Sequence, residues 1–92
     1  MMVTVGLPSY LQQFADGKDR VEVDSGGSLR NVLSELGKLH PGVETRVLTE
    51  QGEVRPHINV FVGERNCRFE KGLETDVPDG AEVMILTAVS GG

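Results

Sequence analysis

The chain has no tryptophan, one tyrosine (Tyr10) and three phenylalanines (Phe14, Phe61, Phe69) among its 92 residues. Its core must therefore be built from Val, Leu and Ile. Cysteine is nearly absent: a single Cys67 excludes an internal disulfide and fits a reducing compartment. Basic residues are few, with nine Lys and Arg against fourteen Asp and Glu and a formal charge of −5. They are also scattered. A nucleic-acid binder needs a basic face to displace counterions from phosphate, so that class is excluded. An acidic domain is better suited to a protein with a basic surface. No apolar run approaches the ~20 residues of a membrane-spanning helix. Met1-Met2-Val3-Thr4 lacks the basic-then-apolar plan of a signal peptide, so the expected location is the cytoplasm, with no membrane partner. His40 and His57 are far apart, with no Cys or carboxylate at ligand spacing, and no metal site is expected. Gly26-Gly27 precedes a helical pattern without the Lys of a phosphate loop and reads as a turn.

What is present is one small domain over residues 1–92, with alternating and helical patterns in sequence. Residues 2–7 alternate as a strand, with Val3, Val5 and Leu7 on one face, and Pro8 ends it. Residues 9–19 read as a loop with an Asp16-Gly17 turn. Residues 20–24 alternate again, Val21 and Val23 inward. Ser28 is a good helix N-cap, and Leu29, Val32, Leu33, Leu36 and Leu39 make the apolar stripe of a helix over 29–39. Gly37 inside it costs ~1 kcal/mol relative to Ala. Pro41-Gly42 stops that helix, and residues 43–48 suit a short further turn. Residues 57–62 are a strand, 63–66 a turn, 67–69 a short return strand, and 81–87 a final strand. The order β-β-α-β-β-β predicts an α+β fold, one sheet packed on a single main helix.

Period-two alternation also assigns faces. Ile58, Val60, Val62, Val83 and Ile85 should point to the helix. Phe61, Met84 and Leu86 should point away and form an apolar patch for a partner, unless segment 8–19 or 49–56 covers them. A register slip of one residue would invert this assignment. Cys67 reads more readily as a packed side chain than as a reactive thiol.

After the last strand come Ala88-Val89-Ser90-Gly91-Gly92. With glycine at 12 of 92 positions, a Gly-Gly ending has a chance probability of roughly 2% from composition. Lacking Cβ atoms, Gly91 and Gly92 fit a channel too narrow for other residues and leave the terminal carboxylate uncrowded. Val89 and Ser90 would follow as extended backbone. Residues 88–92 are thus expected to be an extended, flexible tail.

The ordered set Ile58-Asn59-Val60-Phe61-Val62-Gly63, Arg68-Phe69, Leu73, Pro78-Asp79-Gly80-Ala81-Glu82-Val83 and Val89-Ser90-Gly91-Gly92 resembles the MoaD/ThiS family of ubiquitin-like sulfur carriers. Val3-Thr4-Val5, Leu7-Pro8 and Gly72-Leu73 make it most similar to the small carrier of a cysteine-biosynthesis route. Many members have a proline after the last strand; Thr87-Ala88 stand there here. The resemblance implies a β-grasp fold, a mixed sheet on one main helix. It implies a carrier and co-substrate, not an enzyme, with no bound cofactor. An E1-like adenylating enzyme would consume ATP to adenylate Gly92, and sulfur would replace AMP to give a thiocarboxylate. A sulfur-acceptor enzyme, either cysteine synthase-like or the large subunit of molybdopterin synthase, would then take the sulfur for cysteine, thiamine or molybdenum-cofactor synthesis. Leu86 matches a position that contacts partners in the family. Two other roles suit the same tail: a ubiquitin-like modifier conjugated through Gly92, or the small subunit of molybdopterin synthase.

Overall fold

The computed structural model describes residues 2–87. It opens with β1 (Met2–Gly6), in which Val3 and Val5 are buried. The next stretch is not the loop expected. Pro8 caps a single turn of helix, α1 (Ser9–Gln12), which tightens into a 3₁₀ turn at Gln13–Ala15. Leu11 and Ala15, four residues apart, are both buried on it. Two apolar positions are too few to show a helical period in sequence. Asp16 and Gly17 then take left-handed backbone, with φ of 56° and 80°, and turn the chain into β2 (Arg20–Asp24).

After β3 (Gly27–Ser28) comes the main helix, α2 (Leu29–Leu39). Its start is the one expected: Ser28 Oγ accepts a hydrogen bond from the Asn31 N–H at 3.2 Å. That satisfies one of the orphan donors of the first turn. Leu29, Val32, Leu33 and Leu36 are buried, but Leu39, expected in the same stripe, is 56% exposed because the helix ends there. Pro41 does stop α2. It also begins α3 (Pro41–Val47), since proline at the first helical position forfeits no hydrogen bond. Val43 and Val47 bury one side of this helix. Gly37 is explained by the same contact: a Cβ there would overlap the Glu44 carboxylate of α3.

β4 (Ile58–Val62) turns through Gly63-Glu64 into β5 (Arg65–Asn66). The return strand is therefore 65–66, and Cys67–Phe69 is a 3₁₀ turn, not a strand. Two facts account for this. Asn66 Oδ1 accepts from the Arg68 N–H at 3.0 Å and caps the turn. Cys67 is buried while Phe69 is 83% exposed, and residues two apart on a strand would share a face. A further pair of residues, β6 (Asp76–Val77), forms a ribbon with β3 that the sequence pattern did not suggest. The last strand is β7 (Glu82–Thr87).

The sheet order is β2-β1-β7-β4-β5. β7 is parallel to β1 and antiparallel to β4, so the last strand in the chain is central in a mixed sheet. Val3, Val5, Val21, Val23, Ile58, Val60, Val83 and Ile85 from the sheet meet Leu29, Val32, Leu33 and Leu36 from α2 in one core. This is the α+β arrangement expected, with a sheet on one main helix.

Candidate functional site

The alternation along β4 and β7 sets the outer face of the sheet. Phe61 lies opposite Met84, and Asn59 opposite Leu86. On the other side of β7, Gly6 lies beside Met84. A Cβ at Gly6 would stand 2.6 Å from Met84 Sδ, so the thioether lies across the glycine. Sequence reasoning missed Gly6; its signal was a glycine at the end of an alternating strand, which often marks a close approach. Asn66 Nδ2 donates to Asn59 Oδ1 at 3.3 Å on one flank, and Arg20 Nη1 bonds Glu82 Oε2 at 3.0 Å on the other.

All three predicted patch residues are thus on the outward face, as the alternation requires. Their exposure differs from expectation. Phe61 and Met84 are half-buried, since they face each other across the strands and Met84 rests on Gly6. Leu86 alone of the three is exposed, at 41%. Neither candidate cover takes the patch. Leu11 and Ala15 point into the core, Phe14 packs beneath the Arg46 guanidinium at 3.6 Å, and Leu48 and Val54 also pack on the core.

Leu86 is one residue from the end of β7, where Thr87 pairs with Ile58. The backbone leading into Ile58 is tied down. Arg68 Nη2 lies 2.7, 2.8 and 3.1 Å from the carbonyl oxygens of Ile58, Pro56 and Arg55. Arg55 in turn donates from Nη2 to the Thr45 carbonyl at 2.8 Å. Charge-assisted bonds of this kind are roughly twice as strong as neutral ones. The backbone beside Thr87 is therefore firmly held at Ile58, and Leu86 stands next to it. Val89, Ser90, Gly91 and Gly92 lie outside the described residues.

Cys67 is 2% exposed, and burial pushes its thiol above the ordinary value of 9.0, which leaves it protonated and unreactive at neutral pH. Among the described residues no group of three His, Cys, Asp or Glu could hold a metal ion, and no helix is long and apolar enough to cross a membrane. A cleft of about 890 Å³ lined by Val62, Gly63, Pro78 and Glu82 sits where β7 begins, at the opposite end of the sheet from Thr87.

Comparison with known proteins adds the context. The ThiS family profile matches residues 5–92. The sulfur carrier protein CysO of Mycobacterium tuberculosis is 35% identical over 94 residues, covering all of both chains. A chain in the crystal structure of the Amycolatopsis orientalis BexX/CysO complex superposes with a TM-score of 0.89 at 33% identity, over 98% of this chain and 99% of that one. The crystal structure of SAMP1 from Haloferax volcanii, a small archaeal modifier protein, superposes at 0.82 and 30% identity over the whole of both chains.

Proposed function

Since the chain belongs to the ThiS family, we propose that it is a sulfur carrier that works through the carboxylate of Gly92. The observation that carries this reading is the placement of β7. β7 is the central strand, and Thr87, the last described residue, pairs with Ile58 beside the exposed Leu86, with residues 88–92 following in sequence. Fully extended, those residues reach no more than roughly 17 Å. A partner that grips the outer face around Leu86 therefore knows where Gly92 can be.

The chemistry follows from what a carboxylate lacks. It is a poor electrophile. Attack of a Gly92 carboxylate oxygen on the α-phosphorus of ATP, in an E1-like enzyme, expels pyrophosphate and leaves an acyl-adenylate. A sulfide-level donor then adds to the acyl carbon and AMP leaves, giving the thiocarboxylate. The thiocarboxylate sulfur is a soft nucleophile, and the folded domain supplies recognition and effective concentration when it meets an acceptor enzyme. Gly91 and Gly92 leave the acyl carbon uncrowded for both displacements. The carrier is then a co-substrate. The resemblance to the CysO carriers favours cysteine synthesis as the destination.

The test is intact-mass spectrometry after incubation with its activating enzyme, ATP and a sulfur donor. The expected product is heavier by one oxygen-to-sulfur exchange, and deletion of Gly92 abolishes it. Recovery of the carboxylate alone would refute the proposal. A second reading, conjugation of Gly92 to target lysines, is favoured by the likeness to SAMP1. It shares the adenylate and differs in the nucleophile. A ladder of adducts that survives denaturing electrophoresis and disappears with Gly92 deleted would support it.

A further inference from the structure

β2 forms one margin of the sheet. Its inner side is filled by Val21 and Val23, both buried. Its outer margin is a row of backbone groups whose phase can be worked out from β1. The Leu7 N–H donates to the Asp19 carbonyl at 2.8 Å, and Val5–Val21 and Val3–Val23 follow in the same register at steps of two. In an antiparallel ladder alternate residues bond the same neighbour and the residues between them point the other way. The N–H and C=O groups of Arg20 and Glu22 therefore point away from β1, out of the sheet. Such a row is a template for another strand.

The side chains on this margin have an order. Lys18 and Arg20 are positive, Glu22 and Asp24 negative, spaced by two, and all are exposed. We propose that β2 is a self-association edge. Two copies of the chain join β2 to β2, antiparallel, about a two-fold axis through Val21, and merge their five-stranded sheets into one. In that register Arg20 of each copy faces Glu22 of the other, and the two residues bond through the outward backbone groups just described. Lys18, just before the strand with its N–H on the Ala15 carbonyl at 3.0 Å, comes opposite Asp24 and contributes charge alone, and Val21 faces Val21.

Charges on an edge strand ordinarily block pairing whatever their order. Here the order selects one register. Centring on Arg20 opposes two arginines, centring on Glu22 opposes two glutamates, and centring on Val23 sets Glu22 against Asp24. Like charges directly opposite are destabilising and unlike charges stabilising. Arg20 already bonds Glu82 through Nη1, but a guanidinium has five N–H donors and can take a second carboxylate. On the helix side of the same margin, Leu39 is exposed in a cleft shared with Val21 and His40. It would supply apolar contact along the seam. β1 separates β2 from β7, so the dimer leaves Leu86 uncovered. Each dimer would then present two carrier tails.

The experiment uses the full chain in sedimentation equilibrium from about 10 µM to 1 mM, the range expected of a small polar contact. A reversible dimer that weakens as salt is added is expected. Glu22→Arg, at an exposed position, should weaken it about tenfold, because Arg20 of each copy then faces a second positive charge on the other. The exchange Arg20→Glu with Glu22→Arg reverses both signs and should restore association. In parallel, amide hydrogen exchange at Arg20 and Glu22 should slow as concentration rises. A monomer at 1 mM, a dimer indifferent to Glu22→Arg, no rescue by the charge exchange, or unchanged exchange at those amides would each overturn the proposal. Thermal melts of each variant separate loss of association from loss of folding.

Discussion

Ile85 and Leu86 are neighbours in sequence and opposites in the fold. Truncating each to alanine therefore separates stability from recognition. Ile85 is 0% exposed on the central strand, packed between the sheet and α2. Ile85→Ala should cost about 2–5 kcal/mol from lost burial and the cavity left behind. If that unfolds the chain, Ile85→Val, at about 0.5–1.5 kcal/mol, gives a readable value. Leu86 has 41% of its surface still in water. Complete burial of a leucine contributes about 1.5–3 kcal/mol, so a partner that covers the remainder gains roughly 0.6–1.2 kcal/mol. Leu86→Ala should lower stability by roughly 0.9–1.8 kcal/mol, from the part the fold already buries, short of the Ile85→Ala loss. It should raise the KM for adenylation by roughly three- to eightfold, with kcat nearly unchanged. Urea unfolding and pyrophosphate release in the presence of the activating enzyme measure the two effects. An unchanged KM in a fully folded Leu86→Ala variant would refute the docking role. A loss of stability matching Ile85→Ala would refute the assignment of faces.

Three further outcomes follow from the packing. The Cys67 thiol should resist an aromatic disulfide reagent until the protein unfolds. Because burial raises its folded pKa above the unfolded value near 9.0, its contribution to stability is complete below that pH. It is lost as pH rises toward the folded pKa, which a series of urea titrations through the alkaline range would show. The buried Thr75 hydroxyl donates to the Gly72 carbonyl at 2.7 Å and accepts from the Lys71 N–H at 3.2 Å. Thr75→Val should cost about 1 kcal/mol in the same assay, by removing the acceptor of the part-buried Lys71 N–H. Gly6→Val should push the Met84 side chain off the sheet, which a shifted Met84 methyl resonance in NMR would report, while Gly6→Ala displaces it less.

Much of the fold was legible in the residues because the signals were local. Ser28 and the spacing Leu29, Val32, Leu33, Leu36 placed the main helix and its start. The β-branched alternation placed four strands and told which side chains face the core. Short elements were not legible. α1 shows its period through two residues only, and the turn at Cys67–Phe69 depends on an Asn66 cap that resembles any other loop asparagine.

The outward direction of Phe61, Met84 and Leu86, and the Gly-Gly ending, are properties of the sequence by itself, since period two and chain order need no partner to read. The tertiary structure decided what each then meets. Alternation says which face a residue occupies and nothing about its neighbour on the next strand. Only the parallel pairing of β1 with β7 sets Met84 on Gly6, while Leu86, beyond that pairing on the same face, stays 41% exposed beside Thr87.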